Sequence, residues 1–229
     1  MKLSKSLSMV LLALAGFALI VGCASASLPT LLFLPGESTE VTGQGAVNGP
    51  IKTVVFEAEI GEEIVGTGVV VMLGPAGNRS HLGKYIIELK GMSFEGKKCN
   101  NLGATKESGI VLVTGDEFHF VYVGLGTRLA VGLLLLVSRF EAECGSLKVA
   151  LEGLLLSRVT KIAASDIEVI GFVLGCTKPG KAELPTFENE KGETVKALLK
   201  LDLGLGFETG CLRAPEVTLL LSHMITIDL

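Results

Sequence analysis

Arg139-Phe-Glu-Ala-Glu-Cys-Gly-Ser-Leu-Lys-Val-Ala-Leu-Glu152 is the stretch that decides the fold class of this chain. Phe140, Ala142 and Cys144 alternate with Arg139, Glu141 and Glu143. After Gly145-Ser146, Leu147, Val149 and Leu151 alternate with Lys148 and Glu152. A period of two that breaks at a turn and then resumes marks a pair of antiparallel strands, each with one packed and one wet face. The same beat recurs on both sides. Upstream, Val54, Phe56, Ala58 and Ile60 face away from Thr53, Glu57 and Glu59; Tyr85, Ile87 and Leu89 alternate with Lys84, Glu88 and Lys90; Phe118, Phe120 and Tyr122 alternate with Glu117 and His119. Downstream, Val217, Leu219, Leu221, His223, Ile225 and Ile227 keep it to the last residues. Turn residues separate these runs at Gly74-Pro75, Gly96-Lys97 and Gly115-Asp116.

The chain therefore reads as all-β, an antiparallel sandwich or two packed sheets of about ten to twelve strands. Leu129–Val137 (LAVGLLLLV) is apolar on both faces. It is too short for a membrane helix, which needs about 20 residues. A central strand buried on both sides is expected there, with a short buried helix as the alternative. Lys161–Asp166 and the charged Pro/Gly loop Lys178–Glu193 interrupt the rhythm, and a subdivision of the β-rich region is placed near residues 160–167.

The first 26 residues carry a different signal. Lys2 and Lys5 make a basic start, Ser8–Gly22 is almost wholly apolar, and Ala24-Ser25-Ala26 supplies small residues for cleavage. Residues 1–26 read as a secretory signal peptide, forming the only helix expected, and residues 27–229 as an exported β-rich domain. Ile20-Val21-Gly22-Cys23 also fits a lipobox, in which Cys23 is lipidated and tethers the domain to a membrane. Either way the protein is expected to be secreted or held at the cell surface, with no transmembrane span in the mature chain.

Composition narrows the function classes. Without Lys2 and Lys5 the chain keeps 18 basic against 24 acidic residues, a formal charge of −6, and has no basic tract. A nucleic-acid partner needs a cationic stripe along its phosphates and is not expected. Aromatic residues make up 5%, with no Trp and two Tyr. That is poor material for the aromatic girdles of an outer-membrane barrel or for stacking sugars. Once Cys23 is removed or lipidated, Cys99, Cys144, Cys176 and Cys211 remain, an even number in an oxidising compartment. Of three connectivities, Cys99–Cys144 with Cys176–Cys211 closes two short, non-overlapping loops and is the pairing expected. Buried free thiols and a metal site are the alternatives. Zinc favours cysteines in close pairs, which these are not.

Several further stretches resemble one another's counterparts in a known group. Ser27–Glu37 (SLPTLLFLPGE), Glu88–Gly91 leading to Gly96-Lys-Lys-Cys99, Gly109–Gly115 (GIVLVTG), and Val131–Val137 leading to Phe140–Gly145 resemble exported proteins of actinobacteria that carry no assigned activity. The resemblance covers most of the mature chain. It implies export and brings no mechanism, cofactor or site with it.

Chemical motifs are few. Gly91–Lys97 and Gly175–Lys181 match the glycines and lysine of a phosphate-binding loop, but Lys98 and Ala182 stand where Ser or Thr must hold magnesium. Both are expected to be turns. Gly204–Gly210 has the wrong glycine spacing for a dinucleotide site and is expected to be a strand bend. Of His81, His119 and His223, only His119 has acids close by, at Asp116 and Glu117. That trio is the weak site candidate, able to hold a cation or to orient His119 as a general base. The solvated face of a strand explains it equally. No cofactor is expected. The function expected is a non-catalytic structural or interaction module with a protein or cell-envelope partner. A carrier of a small apolar ligand in a β-lined cavity is the alternative, and a hydrolase using His119 the third.

Overall fold

The structure, a computed structural model, describes residues 30–33, 40–47, 54–58, 63–77, 83–104, 108–125, 128–161, 167–174, 186–189, 191–213 and 216–228. The leader 1–26 with Cys23, as well as His81, Cys176, Gly175–Lys181 and most of 160–167, lies outside them. Every element described is a strand. In chain order these are β1 (Thr30–Phe33), β2 (Glu40–Val47), β3 (Val54–Ala58), β4 (Glu63–Gly66), β5 (Gly68–Gly77) and β6 (Tyr85–Lys90). Then come β7 (Ser93–Phe94), β8 (Lys97–Asn101), β9 (Val111–Gly115), β10 (Phe118–Leu125), β11 (Arg128–Cys144) and β12 (Leu147–Lys161). The last are β13 (Ile167–Leu174), β14 (Thr186–Glu188), β15 (Thr194–Lys196), β16 (Leu199–Asp202), β17 (Phe207–Arg213) and β18 (Glu216–Asp228). The class is all-β, as read from the alternation. The eighteen described strands exceed the ten to twelve expected, because β1, β4, β7, β14, β15 and β16 are two to four residues long and too brief to show a period in the sequence.

The strands form two packed antiparallel sheets that share one hairpin, β11–β12. In the first sheet the pairings run β9–β6–β5–β2–β18–β13–β12–β11–β10–β14–β15, with β1 beside the far end of β18. In the second they run β11–β8–β7–β4–β3–β17–β16–β12 and return to β11. The hairpin changes sheets half-way along. Its open end, Gly132–Val137 with Gly153–Arg158, belongs to the first, and its turn end, Phe140–Cys144 with Leu147–Leu151, to the second. The register slips between Val137 and Phe140, leaving Ser138 and Arg139 as a bulge, the device that bends a strand and re-aims it.

Across from the bulge sits Gly153, at φ +113. Next to it the carbonyl oxygen of Leu198 accepts a hydrogen bond from the Leu154 N–H at 2.8 Å. A Cβ at 153 would occupy the space of that oxygen. Bulge and glycine together let two strands serve two sheets.

The inward faces of both sheets meet in a single apolar core. Val71, Ile87, Leu133, Leu135, Val217 and Leu219 come from the first sheet, and Ile64, Ala142, Leu151 and Leu201 from the second. The expected alternations pack as read in β6 and the turn end of the hairpin, and β9 alternates in the same way. In β3 the side chain of Val55 is buried. Leu129–Val137 lies within β11 as a strand, not a helix. Val131, Leu133, Leu135 and Val137 enter the main core. Leu134 points the other way, into a second cluster with Val121, Val123, Leu156, Phe187 and Ala197. The β14–β15 hairpin caps that outer face, which is why the run is apolar on both sides. Strands β12 and β13, on either side of 162–166, are hydrogen-bonded neighbours.

Two polar devices tie the core. Tyr85 is buried, and its hydroxyl donates to the Leu136 carbonyl at 2.7 Å. Burial, and then the negative charge of Asp116, raise its pKa far above the usual phenol value, so it remains a neutral donor. Cys99 and Cys144, directly opposite each other on β8 and β11, are joined by a disulfide across 45 residues of chain. The first expected bridge is therefore present. Cys211 is also disulfide-bonded, to a cysteine outside the described residues, where its expected partner Cys176 lies. Replacing both Cys99 and Cys144 by alanine is expected to cost roughly 3 kcal/mol through the freer unfolded chain. A matching drop in the urea midpoint, together with recovery of the linked peptide pair from the parent without reductant, checks it.

Candidate functional site

Gly91–Lys97 is not a phosphate cradle. Phe94 and Lys97 face each other across a two-residue turn in which Glu95 (φ 48) and Gly96 (φ 77) both have positive φ, the type I′ geometry that suits a tight hairpin. Gly204–Gly210 turns the chain from β16 to β17, where the Asp202 carboxylate accepts from the N–H groups of Gly204 (2.7 Å) and Gly206 (2.9 Å).

The acid–histidine trio is divided by the turn that carries it. Asp116 points to solvent and lies 3.9 Å from the Lys84 ammonium, both side chains being highly exposed. Glu117 and His119 are two residues apart on one strand face, and Oε1 of Glu117 meets Nε2 of His119 at 2.5 Å. This face is not the open, wet surface expected. The His119 side chain is 17% exposed, because the β14–β15 hairpin lies alongside. Tyr122 pairs with Glu188 across β10–β14, so Phe187 and Asn189 are brought beside the next positions of β10.

The result is an open cleft of about 390 Å³ lined by Glu117, His119, Val121, Leu134, Phe187, Asn189 and Lys191. Its floor is apolar and its rim polar. Leu134 joins it because it stands directly opposite His119 in the β10–β11 register. Asn189 shapes the far rim: its Oδ1 accepts from the N–H groups of Lys191 and Glu193, each at 2.9 Å, and its Nδ2 donates to Oε2 of Glu193 at 2.9 Å. That closed turn presents the exposed Lys191 at the edge of the cleft.

A histidine oriented by a carboxylate is the base-and-orienter half of a nucleophilic triad. The other half needs a hydroxyl or thiol within reach, and the described residues that line the cleft include none. Among the described residues no three His, Cys, Asp or Glu side chains stand together as metal ligands. The arrangement is suited to binding: an apolar floor with a few convergent polar groups.

Phe187, Asn189 and Lys191 escape a reading of the sequence, because they fall in what reads as a charged Pro/Gly loop. The signal available was Thr186-Phe-Glu188, a one-residue alternation, with Asn189 and Gly192, two turn-forming residues, after it. Between β4, β8, β11 and β16 a cavity of about 20 Å³ is lined by Ile64, Met92, Cys99, Leu151 and Leu201, room for about one water. No family model, curated protein or solved structure matches the chain.

Proposed function

We propose that the protein is exported and acts by binding, as a structural or interaction module at the cell envelope or outside the cell. The observation that carries this reading is the tight interior. A carrier that encloses an apolar ligand needs a chamber of about 300 Å³ or more, whereas the core cavity among the described residues is about 20 Å³ and the cleft of about 390 Å³ is open to solvent. The Cys99–Cys144 bridge suits an oxidising compartment, and the apolar leader and small-residue site at Ala24–Ala26 support export. Lipidation at Cys23 and kinship with exported actinobacterial proteins belong to the same reading. Mass spectrometry of protein purified from its own culture medium tests them, since a lipid at Cys23 and a chain starting at Ser27 differ in mass.

The hydrolase reading rests on His119 and is tested by substitution. A broad hydrolase screen of the parent is expected to be silent, and His119→Ala to match the parent in every partner assay. A general base contributes about 10²–10⁴-fold to turnover. A reproducible activity that falls by that factor in His119→Ala would sink the binding reading.

A further inference from the structure

We propose that the outer face of the first sheet, over β18, β2, β5, β6 and β9, pairs with the same face of a second copy of the chain about a two-fold axis. One row crosses all five strands in register: Leu220, Gln44, Met72, Ile86 and Thr114. These side chains point outward, because their neighbours Leu219, Val71, Ile87 and Val113 point into the core. Leu220 is 62% exposed and Ile86 36%, with Met72 half-buried between them. Apolar side chains grouped on an outer face mark an interaction surface.

Charge selects the occupant. Lys84 and Glu88 stand two residues to either side of Ile86 and share its face. The Gly74 N–H donates to the Lys84 carbonyl at 2.6 Å, which carries the β5–β6 ladder to that position. A two-fold axis lying across the strands over Ile86 reverses β6 in the other copy. Ile86 then meets Ile86, and Lys84 of each copy meets Glu88 of the other. An axis along the strands would set Glu88 against Glu88 and Lys84 against Lys84. The face is self-complementary about the first axis only, and an isologous contact needs such an axis. Sheets packed face to face keep their strands within about 30° of each other, so the facing charges stay in reach.

Both charges can take a new partner. Lys84 has a loose 3.9 Å contact with Asp116, both side chains being highly exposed. Glu88 holds Lys90 at 3.0 Å, and a carboxylate has lone pairs for a second ammonium. At the margin, on the β9 edge, the axis brings Leu112 beside Asp116 of the other copy, a contact that adds nothing. The row is about 19 Å long at about 4.8 Å per strand. That is small beside the roughly 800 Å² per partner of a stable interface, so the dimer expected is a weak one.

This goes beyond the interaction reading and has its own test, sedimentation equilibrium of the intact protein from about 10 μM to about 1 mM. A monomer–dimer equilibrium is expected, with amide shifts on dilution confined to the row around Met72, Ile86 and Leu220. Lys84→Glu and Glu88→Lys are each expected to weaken association by about tenfold or more, because each sets like charges together at two symmetric points. The double variant, with the charges exchanged, is expected to regain the affinity of the parent. Urea midpoints in dilute solution report that each variant is folded. A protein that stays monomeric throughout, single variants that associate like the parent, a charge exchange that fails to restore the dimer, or growth beyond a dimer overturns the assignment.

Discussion

Gly153→Ala is expected to destabilise the protein by about 4 kcal/mol, the combined effect of backbone strain and overpacking. At φ +113 an L side chain is strained whatever space surrounds it. Here there is also no space, because the new methyl would meet the Leu198 carbonyl oxygen. That oxygen is rigidly placed by the Leu154 N–H, and moving it means moving β16 away from the hairpin that joins both sheets. Gly96→Ala supplies the control. It has a positive φ of 77 but nothing within 4 Å of its Cβ position, so strain acts alone and the expected cost is about 1 kcal/mol. Urea unfolding of the two variants measures the difference directly. Equal losses would mean that the close approach of Leu198 contributes nothing.

Ile87→Asp is expected to cost about 5 kcal/mol or more, enough to unfold a protein of ordinary stability. Ile87 lies between Val71 and Val113 in the first sheet and is 1% exposed. An aspartate there has no cation to pair with among the side chains that pack around it in the core. Its neighbour Glu88 points outward and pairs with Lys90 at 3.0 Å. Glu88→Lys removes that exposed pair and sets two lysines side by side, a change of about 1 kcal/mol or less. Circular dichroism melts of the two variants read the contrast. Similar losses at 87 and 88 would place β6 in the wrong register, since a one-residue slip exchanges the faces.

How much of this was legible in the sequence depends on the range of the interaction. The Arg139–Glu152 alternation and its turn are local, and they appear in the structure as read. The Cys99–Cys144 bridge was also legible, because of the three connectivities only its pairing with Cys176–Cys211 closes two loops that do not overlap. The Leu129–Val137 run could be read as buried on both faces, but not what buries it: the β14–β15 hairpin lies more than fifty residues away in a stretch dominated by charge. The same distance hid half of the cleft. Glu117 and His119 share a strand face by simple spacing, whereas Phe187, Asn189 and Lys191 reach them only through the Tyr122–Glu188 pairing. Nothing local announces that β3 will pair with β17, or β2 with β18.

Those last pairings set a timetable for a chain made from its N-terminus onward. Strand β3 has β4 on one side early, but its other neighbour is β17, and β2 waits likewise for β18. Until β17 and β18 emerge, both early strands present bare backbone edges of the kind that invite wrong partners. The second sheet cannot return to its starting hairpin before then either, because β16 and β17 are the links that complete it. The nascent chain is therefore open to its neighbours until β16, β17 and β18 have emerged, and those strands act as the closing stitch.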